Sequence, residues 1–313
     1  MKKIAIIGEC MIELNGDAFG HMYQTYGGDT LNTATYLTRI TPSTALEVQY
    51  ISAMGTDKLS QQMIEHWQTD GINTNWVLRD PKRHAGLYLI QLDTQGERTF
   101  LYWRNQSAAR YLLQHIDIKK VFEALITVDM IYLSGISLAI LPDNDRISLL
   151  AELTVLAKQG VKIAFDSNYR PALWESREKT QEIYTALLPI VDLALVTFED
   201  EHAIWQDKNA IDTIHRLKQM GVKDVVVKQG KSGAIFSDRH GNQYVVPTQE
   251  VKNIVDTTSA GDAFNAGFLN GYLQGKPLYT CCEQGHQLAR LVIQHRGAII
   301  DKSVTSHLIN KFN

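Results

Sequence analysis

Short apolar runs that alternate with longer amphipathic stretches constrain the fold of this chain most. Five runs read as buried strands: Ile4–Gly8, Met130–Gly135, Val161–Asp166, Leu193–Thr197 and Val225–Lys228. Helical periodicity marks three stretches between or after them: Asp143–Gln159, Lys179–Leu188 and Ala210–Met220. Strands that alternate with helices predict an α/β fold, with a mostly parallel central sheet covered on both faces. In such sheets ligands bind at the carboxyl ends of the strands.

Two segments interrupt the alternation, at about 11–26 and 84–104, and both read as extended chain. The second has a hairpin pattern, Ala85–Leu92 and Arg98–Trp103 around the loop Asp93–Glu97. We predict a small β-sheet outgrowth, which could act as a lid or a dimer surface. The alternative is an antiparallel edge of the main sheet. Because no Pro/Gly/Ser-rich linker divides the chain, we predict one domain over residues 1–313 with these two lid segments inserted.

Composition excludes several classes of protein. A net charge of −3 and a pI of about 6.4 give no reason to expect nucleic acid or an anionic membrane as a partner. The three cysteines, Cys10, Cys281 and Cys282, make a poor disulfide framework, which favours reduced thiols. Glu9 interrupts the first apolar run, and we find no signal peptide and no uncharged apolar stretch long enough to span a membrane. We therefore expect a cytoplasmic protein.

The segment Asp256–Phe264 carries most of the functional argument. Small residues precede a helix whose first turn contains Asp262. Free backbone N–H groups and the helix dipole make such a helix start an anion site. A carboxylate placed there can accept the proton of an attacking hydroxyl. The residues alone support equally a second interpretation, in which Asp262 only caps the helix.

A second motif lies near the N-terminus, where Gly27 and Gly28 are followed by Asp29 and Asn32. Glycines let a ligand approach the backbone closely, and the two polar side chains could hydrogen-bond sugar hydroxyls. Asn32 could instead simply belong to the first turn of a helix over Thr30–Arg39.

Together the two motifs, about 230 residues apart, resemble the signatures of the ribokinase-like, or PfkB, sugar kinases. The resemblance covers nearly the whole chain and implies a three-layer α/β fold with a β-sheet lid, and ATP and Mg²⁺ as cofactors. It implies that Asp262 is the catalytic base and that the amides of Ala260 and Gly261 help to form the anion hole. The family commonly has Gly where this chain has Ser259. The implied ATP contacts are Asn168, Arg170, Lys228, Gly230, Ser232, Gly233, Thr258, Ser259, Ala260 and Gly261.

Two parts of this assignment stay open. Gly230-Lys231-Ser232 is not a P-loop, because Val225 stands where the first glycine is required, and a tight turn with a solvated Lys231 is an alternative to an ATP contact. The family's Mg²⁺-organising Asn/Ser-x-x-Glu element has no clear match. The nearest residues are Thr197, Asp200 and Glu201, which could also be a solvated acidic helix start.

The substrate is suggested by Tyr88, Tyr102, Arg104 and Arg170. Guanidinium and phenol groups suit a carboxylate better than a neutral hexose, although surface arginines are common. The runs around these residues resemble the family members that phosphorylate the 6-hydroxyl of a 2-keto-3-deoxy sugar acid, and fructokinase is the nearest competitor. The resemblance also implies a homo-oligomer formed through the lid.

Two further classes were considered. A non-catalytic sugar or nucleotide sensor on the same scaffold has no need of a base at the anion hole, so Asp262 speaks against it. A dinucleotide-dependent oxidoreductase needs a Gly-x-Gly-x-x-Gly turn after the first strand, and Gly8–Ile12 supplies none.

Overall fold

The computed structural model of the protein describes residues 1–17, 19–92 and 98–313. The strands are β1 Lys2–Ile7, β2 Met11–Gly16, β3 Met22–Gly27, β4 Leu46–Gly55, β5 Val77–Asp80, β6 Gly86–Leu92, β7 Arg98–Trp103, β8 Met130–Ser134, β9 Lys162–Asp166, β10 Leu193–Thr197, β11 Asp224–Lys228, β12 Ala234–Ser237 and β13 Gln243–Val246. The helices are α1 Asp29–Ile40, α2 Lys58–Thr69, α3 Ile118–Leu125, α4 Gly135–Ala139, α5 Asp143–Lys158, α6 Arg177–Leu187, α7 Phe198–Trp205, α8 Ala210–Gln219, α9 Ala260–Leu273, α10 Leu278–Val292, α11 Lys302–Thr305 and α12 Leu308–Phe312.

The main sheet has the strand order β13-β12-β11-β10-β9-β8-β1-β4-β5. Its strands pair in parallel from β5 to β11, whereas the pairs β11–β12 and β12–β13 are antiparallel, so that β12 alone runs in the opposite direction. The prediction of a mostly parallel sheet is confirmed. The five predicted strands all form, and β1, which differs most, begins two residues before its predicted start.

Helices cover both faces of the main sheet and enclose two separate cores. Side chains alternate along β1, so that Ile4 and Ile6 enter one core while Ala5 and Ile7 enter the other. The first core contains residues of α1, α2, α9 and α10, and the second contains residues of α3, α5, α6 and α8. This arrangement is a three-layer α/β sandwich.

A second, four-stranded sheet has the order β3-β2-β6-β7. Strand β2 pairs antiparallel with β3 and parallel with β6, and β6 pairs antiparallel with β7. The predicted hairpin therefore exists, and the alternative of an antiparallel edge of the main sheet is wrong. The loop predicted at 93–97 lies outside the described residues. Below, the four-stranded sheet is called the lid sheet and the main sheet with its helices the body.

Candidate active site

Asp262 lies in the first turn of α9, at a helix start whose backbone N–H groups can bind an anion. The helix begins at Ala260, and its N-terminal cap Ser259 has φ of +65°. This left-handed conformation turns the chain sharply into the helix and is adopted most easily by glycine. Ser259 therefore occupies a position where the backbone favours glycine, the residue that the family commonly has there. The N–H of Ala260 donates to the carbonyl oxygen of Thr257 over 3.2 Å, whereas the N–H groups of Gly261 and Asp262 have no partner within the helix and are available to an anionic ligand.

The two sequence motifs meet at this carboxylate. Asn32 of α1 donates a hydrogen bond from Nδ2 to Asp262 Oδ2 over 2.8 Å. Glycine is required at position 28 because a Cβ there would lie 2.1 Å from the carbonyl oxygen of Glu9. The close approach of the chain at Gly28 sets the start of α1, and with it the position of Asn32. Asn32 is therefore more than a residue of the first helical turn, since it binds the carboxylate.

Asp262 is only 9% exposed. Burial, and after it the neighbouring carboxylate of Asp29, raise the pKa of its carboxyl to about 7, although the hydrogen bond from Asn32 opposes both effects. Burial also raises the pKa of Asp29. A carboxyl with a pKa near neutrality can both take up and release a proton under physiological conditions.

A buried polar cluster lies beside the start of α9. Lys228, at the end of β11, places Nζ 3.1 Å from Asp166 Oδ2 and 3.1 Å from Asn265 Oδ1. Asn265 Nδ2 donates to Asp166 over 2.7 Å and to Tyr132 over 2.9 Å. A Cβ at Gly261 would lie 3.7 Å from Lys228 Nζ, so the ammonium group adjoins the start of α9. Sequence patterns alone do not single out Asn265 or Tyr132. Asp166 was noted only as a strand end.

Asp29 and Asn168, predicted to bind different ligands, contact each other. Asn168 Nδ2 donates to Asp29 Oδ2 over 2.7 Å. Asn168 follows β9 with φ of +29°, and this turn brings its side chain toward the start of α1. The pair links the carboxyl end of the main sheet to the Gly-Gly motif.

The structure separates the two acidic candidates for Mg²⁺. Glu201 in α7 is 1% exposed and accepts a 2.6 Å hydrogen bond from Arg216. Asp200 is partly exposed, and burial together with the nearby charge of Asp166 raises its pKa to about 6. Among the described residues, no three His, Cys, Asp or Glu side chains are grouped to hold a metal ion directly.

The turn after β11 is short and is followed by a strand. Gly230–Ser232 form one turn of 3-10 helix, Lys231 is exposed, and β12 begins at Ala234. The absence of a following helix agrees with the exclusion of a P-loop. Of the residues predicted to bind ATP here, Lys228 points into the buried cluster, while Gly230 and Ser232 face solvent.

The candidate substrate residues of the lid sheet are adjacent. Tyr88 in β6 lies directly opposite Tyr102 in β7, with their ring centroids 6.0 Å apart. The Tyr88 hydroxyl donates to the carboxylate of Glu13, and a Cβ at Gly27 would lie 3.0 Å from the same hydroxyl. Tyr102 is 51% exposed. The lid sheet thus presents its aromatic residues beside the Gly-Gly motif.

The two candidate arginines have different surroundings. Arg104 is 8% exposed, and its guanidinium binds Glu9, a partner that the sequence analysis did not assign. Arg170 is exposed and donates to the backbone oxygen of Tyr169 over 2.9 Å. Its charge lowers the pKa of Asp200, against the larger effect of burial.

Comparison with known proteins identifies the family of this chain. The family model for pfkB family carbohydrate kinases matches residues 1–305. The chain belongs to this family. It is therefore a carbohydrate kinase, and the resemblance proposed from the two motifs is confirmed.

Individual relatives match over nearly their full length. The chain is 63% identical to a 2-dehydro-3-deoxygluconokinase of Haemophilus influenzae, with 100% of both chains covered. It is 43% identical to the enzyme of the same name from Escherichia coli K12, over 96% of this chain and 98% of the relative. A solved structure of a putative ribokinase II from Escherichia coli, in complex with ATP and Mg²⁺, superposes with a TM-score of 0.84 at 20% identity, covering 99% of this chain and 100% of the other. That likeness confirms the ribokinase-like fold. Within the described residues, no helix is long and apolar enough to cross a bilayer.

Proposed function

We propose that this carbohydrate kinase transfers the γ-phosphoryl group of ATP to the 6-hydroxyl of 2-keto-3-deoxygluconate. The relative with 63% identity is named for this sugar acid, which is also called 2-dehydro-3-deoxygluconate. The observation that carries the proposal is the hydrogen bond from Asn32 to the buried carboxylate of Asp262 at the start of α9. It joins an anion site and a base in one place.

In the proposed reaction, Asp262 accepts the proton of the 6-hydroxyl as the hydroxyl oxygen attacks the γ-phosphorus. The bond from the γ-phosphorus to the β–γ bridging oxygen breaks, and ADP leaves with the electron pair. The amides of Ala260, Gly261 and Asp262 donate hydrogen bonds to the γ-phosphoryl oxygens. Lys228, beside Gly261, adds positive charge at the same place. Positioning and charge stabilisation of this kind account for most of phosphoryl-transfer catalysis.

Mg²⁺ would neutralise the phosphate charge when it binds with ATP. The residues fit this role, because burial raises the pKa of both Asp29 and Asp200, and nearby Asp166 adds to each rise. Carboxylates whose ionised forms are destabilised in this way favour a cation close by. Since Arg216 already binds Glu201, we place the indirect contact with Mg²⁺ at Asp200.

The carboxylate end of the substrate would lie at Arg104 and Tyr102. A path of contacts runs from Asp262 through Asn32 and Gly27 to Tyr88, next to Tyr102. The guanidinium carbon of Arg104 lies 5.9 Å from the centre of the Tyr102 ring. This chain of contacts links the proposed base to the guanidinium. A six-carbon sugar acid carries its 6-hydroxyl and its carboxylate at opposite ends of the molecule. Arg170, which is exposed near Asp200, is assigned to the substrate or the transferred phosphate.

An ADP-release assay with ATP and Mg²⁺ tests the proposal on 2-keto-3-deoxygluconate, fructose, ribose and gluconate. We expect turnover with the keto-deoxy acid alone, and a product whose ³¹P signal couples to the protons on C6. Turnover with fructose instead would make the enzyme a fructokinase. No turnover with any substrate would favour a non-catalytic sensor. In parallel, Asp262→Asn should bind ATP but lower kcat by about 10²–10⁴-fold, the contribution of a positioned base.

We also propose that residues 1–313 act as one domain whose lid sheet covers the bound sugar, and that two copies of the chain associate through that sheet. Tyr23 and Trp103 are 80% and 59% exposed there, which is unusual for large apolar side chains. A dimer in light scattering that becomes a monomer in Tyr23→Glu would support the association. A monomeric wild-type protein would refute it.

A further inference from the structure

Glu9 lies where the chain crosses between the body and the lid sheet. It follows β1 of the body and precedes β2 of the lid sheet, which begins at Met11. Arg104, its partner, comes directly after the last lid strand, β7. The other two crossings also touch Glu9: a Cβ at Gly28 would lie 2.1 Å from its carbonyl oxygen, and a Cβ at Gly86 would lie 2.8 Å from its Oε1. Glu9 therefore contacts all four connections between the two sheets.

The ion pair uses only one edge of the guanidinium. Arg104 donates from Nε to Glu9 Oε2 over 2.8 Å, and Nη2 donates to the same oxygen. The two side chains are 1% and 8% exposed, so the pair is buried. Among the residues that the structure describes, Nη1 of Arg104 has no acceptor, yet it is not one of the fully buried unpartnered atoms. The free end of the guanidinium is thus open to a ligand.

A guanidinium held on one edge presents its other edge in a fixed direction. Glu9 lies two residues after the end of β1 in the body, whereas Arg104 directly follows β7 of the lid sheet. The pair therefore ties the carboxylate-binding group to the same body that carries Asp262. Burial excludes competing water, and Glu9 packs closely against the lid sheet, since a Cβ at Gly86 would lie 2.8 Å from Glu9 Oε1.

We propose that Glu9 is a positioning residue for substrate specificity: by binding one edge of Arg104 it aims the other edge at the substrate's carboxylate. The inference rests on the proposed function, in which Arg104 binds that carboxylate. Glu9 itself does not touch the substrate. Its effect should therefore appear only with substrates that carry a carboxylate, and only while Arg104 is present.

The test is the ratio of kcat/KM for 2-keto-3-deoxygluconate to kcat/KM for 3-deoxyfructose, which has a hydroxymethyl group in place of the carboxylate. Both values come from the same enzyme preparation, so partial unfolding cancels from the ratio. Glu9→Gln keeps the side-chain volume but replaces a charged acceptor with a weaker neutral one. We expect the ratio to fall about tenfold in this variant. In an Arg104→Met background, Glu9→Gln should cause no further fall.

Asp70→Asn is the matched control, because Asp70 accepts hydrogen bonds of 2.9 and 3.0 Å from Arg39 in a pair that is 8% and 9% exposed. It weakens another buried arginine–carboxylate pair, outside the proposed site, and should leave the ratio unchanged. An unchanged ratio in Glu9→Gln would make Glu9 purely structural, and a higher ratio would make it a competitor of the substrate's carboxylate. An equal fall in the Arg104→Met background would show that Glu9 acts by another route. Each of these three results overturns the inference. Failure of the proposed function is distinguishable, because Arg104→Met alone would then leave the ratio unchanged.

Discussion

Replacing Asp262, the carboxylate proposed as the catalytic base, should stabilise the protein while it stops the reaction. Asp262 has an ordinary pKa of 3.8 when exposed, and in the fold burial, followed by the charge of Asp29, raises its pKa to about 7. A carboxyl with a raised pKa costs stability when it is ionised, so the cost is absent below pH 4, grows as the pH rises, and is complete above pH 7. At 1.36 kcal/mol per pKa unit the full cost is on the order of 4 kcal/mol, and at pH 5 it is on the order of 1.5 kcal/mol.

Asp262→Asn removes this cost and keeps the shape of the side chain. The amide oxygen can still accept the 2.8 Å hydrogen bond from Asn32. At roughly 2 °C per kcal/mol for a chain of this size, we expect Tm to rise by about 8 °C at pH 8 and about 3 °C at pH 5. Scanning calorimetry at the two pH values measures the difference, and loss of turnover confirms that the altered carboxylate is the base.

Asp301→Asn is the matched control for this prediction. Asp301 is an exposed helix cap that accepts a 2.8 Å hydrogen bond from the backbone of Ser303, which an asparagine can also accept. Its Tm should therefore change little, and equally at both pH values. A lower Tm of Asp262→Asn at pH 8 would refute the raised pKa of Asp262. So would a rise in Tm that is the same at pH 5 and pH 8.

Three further predictions concern the same helix start. Gly261→Ala places a Cβ 3.7 Å from Lys228 Nζ, which is an ordinary contact. In thermal unfolding we therefore expect the stability to be unchanged or raised by up to about 1 kcal/mol. The kcat/KM for ATP should fall at least tenfold, because the methyl group narrows the proposed phosphate site. An unchanged kcat/KM for ATP would show that the phosphate does not bind at this turn. Ser259→Gly should retain turnover. Chemical denaturation should show the fold stabilised by about 1 kcal/mol, because glycine adopts φ of +65° without strain. A destabilised variant would contradict the expected relief of backbone strain. The pH profile of kcat/KM should fall as the pH drops below about 7, because protonation disables Asp262 as a base, and a flat profile down to pH 5 would exclude that role.

Much of the fold follows from local patterns. The run Leu193–Thr197 is continuous and apolar, and it forms β10 with the predicted bounds. The helix predicted over Ala210–Met220 ends one residue earlier, at Gln219, and its buried residues recur every three or four positions. Such segments are predictable because each buries its own apolar residues in the same way wherever its neighbours lie. The lid sheet was predictable as extended chain, whereas its parallel pairing of β2 with β6 joins segments about 75 residues apart and depends on tertiary structure.

By itself, the sequence determined the alternation of strands and helices, the helix start at Asp262, and the motif that contains Asn32. Small and polar residues at fixed spacings carry those features, and their effect on the backbone is local. Only the tertiary structure decided which polar groups bind each other: Lys228 with Asp166, Asn168 with Asp29, and Arg104 with Glu9. The physical reason is that a buried charge must find a partner in space, and that partner can come from any part of the chain.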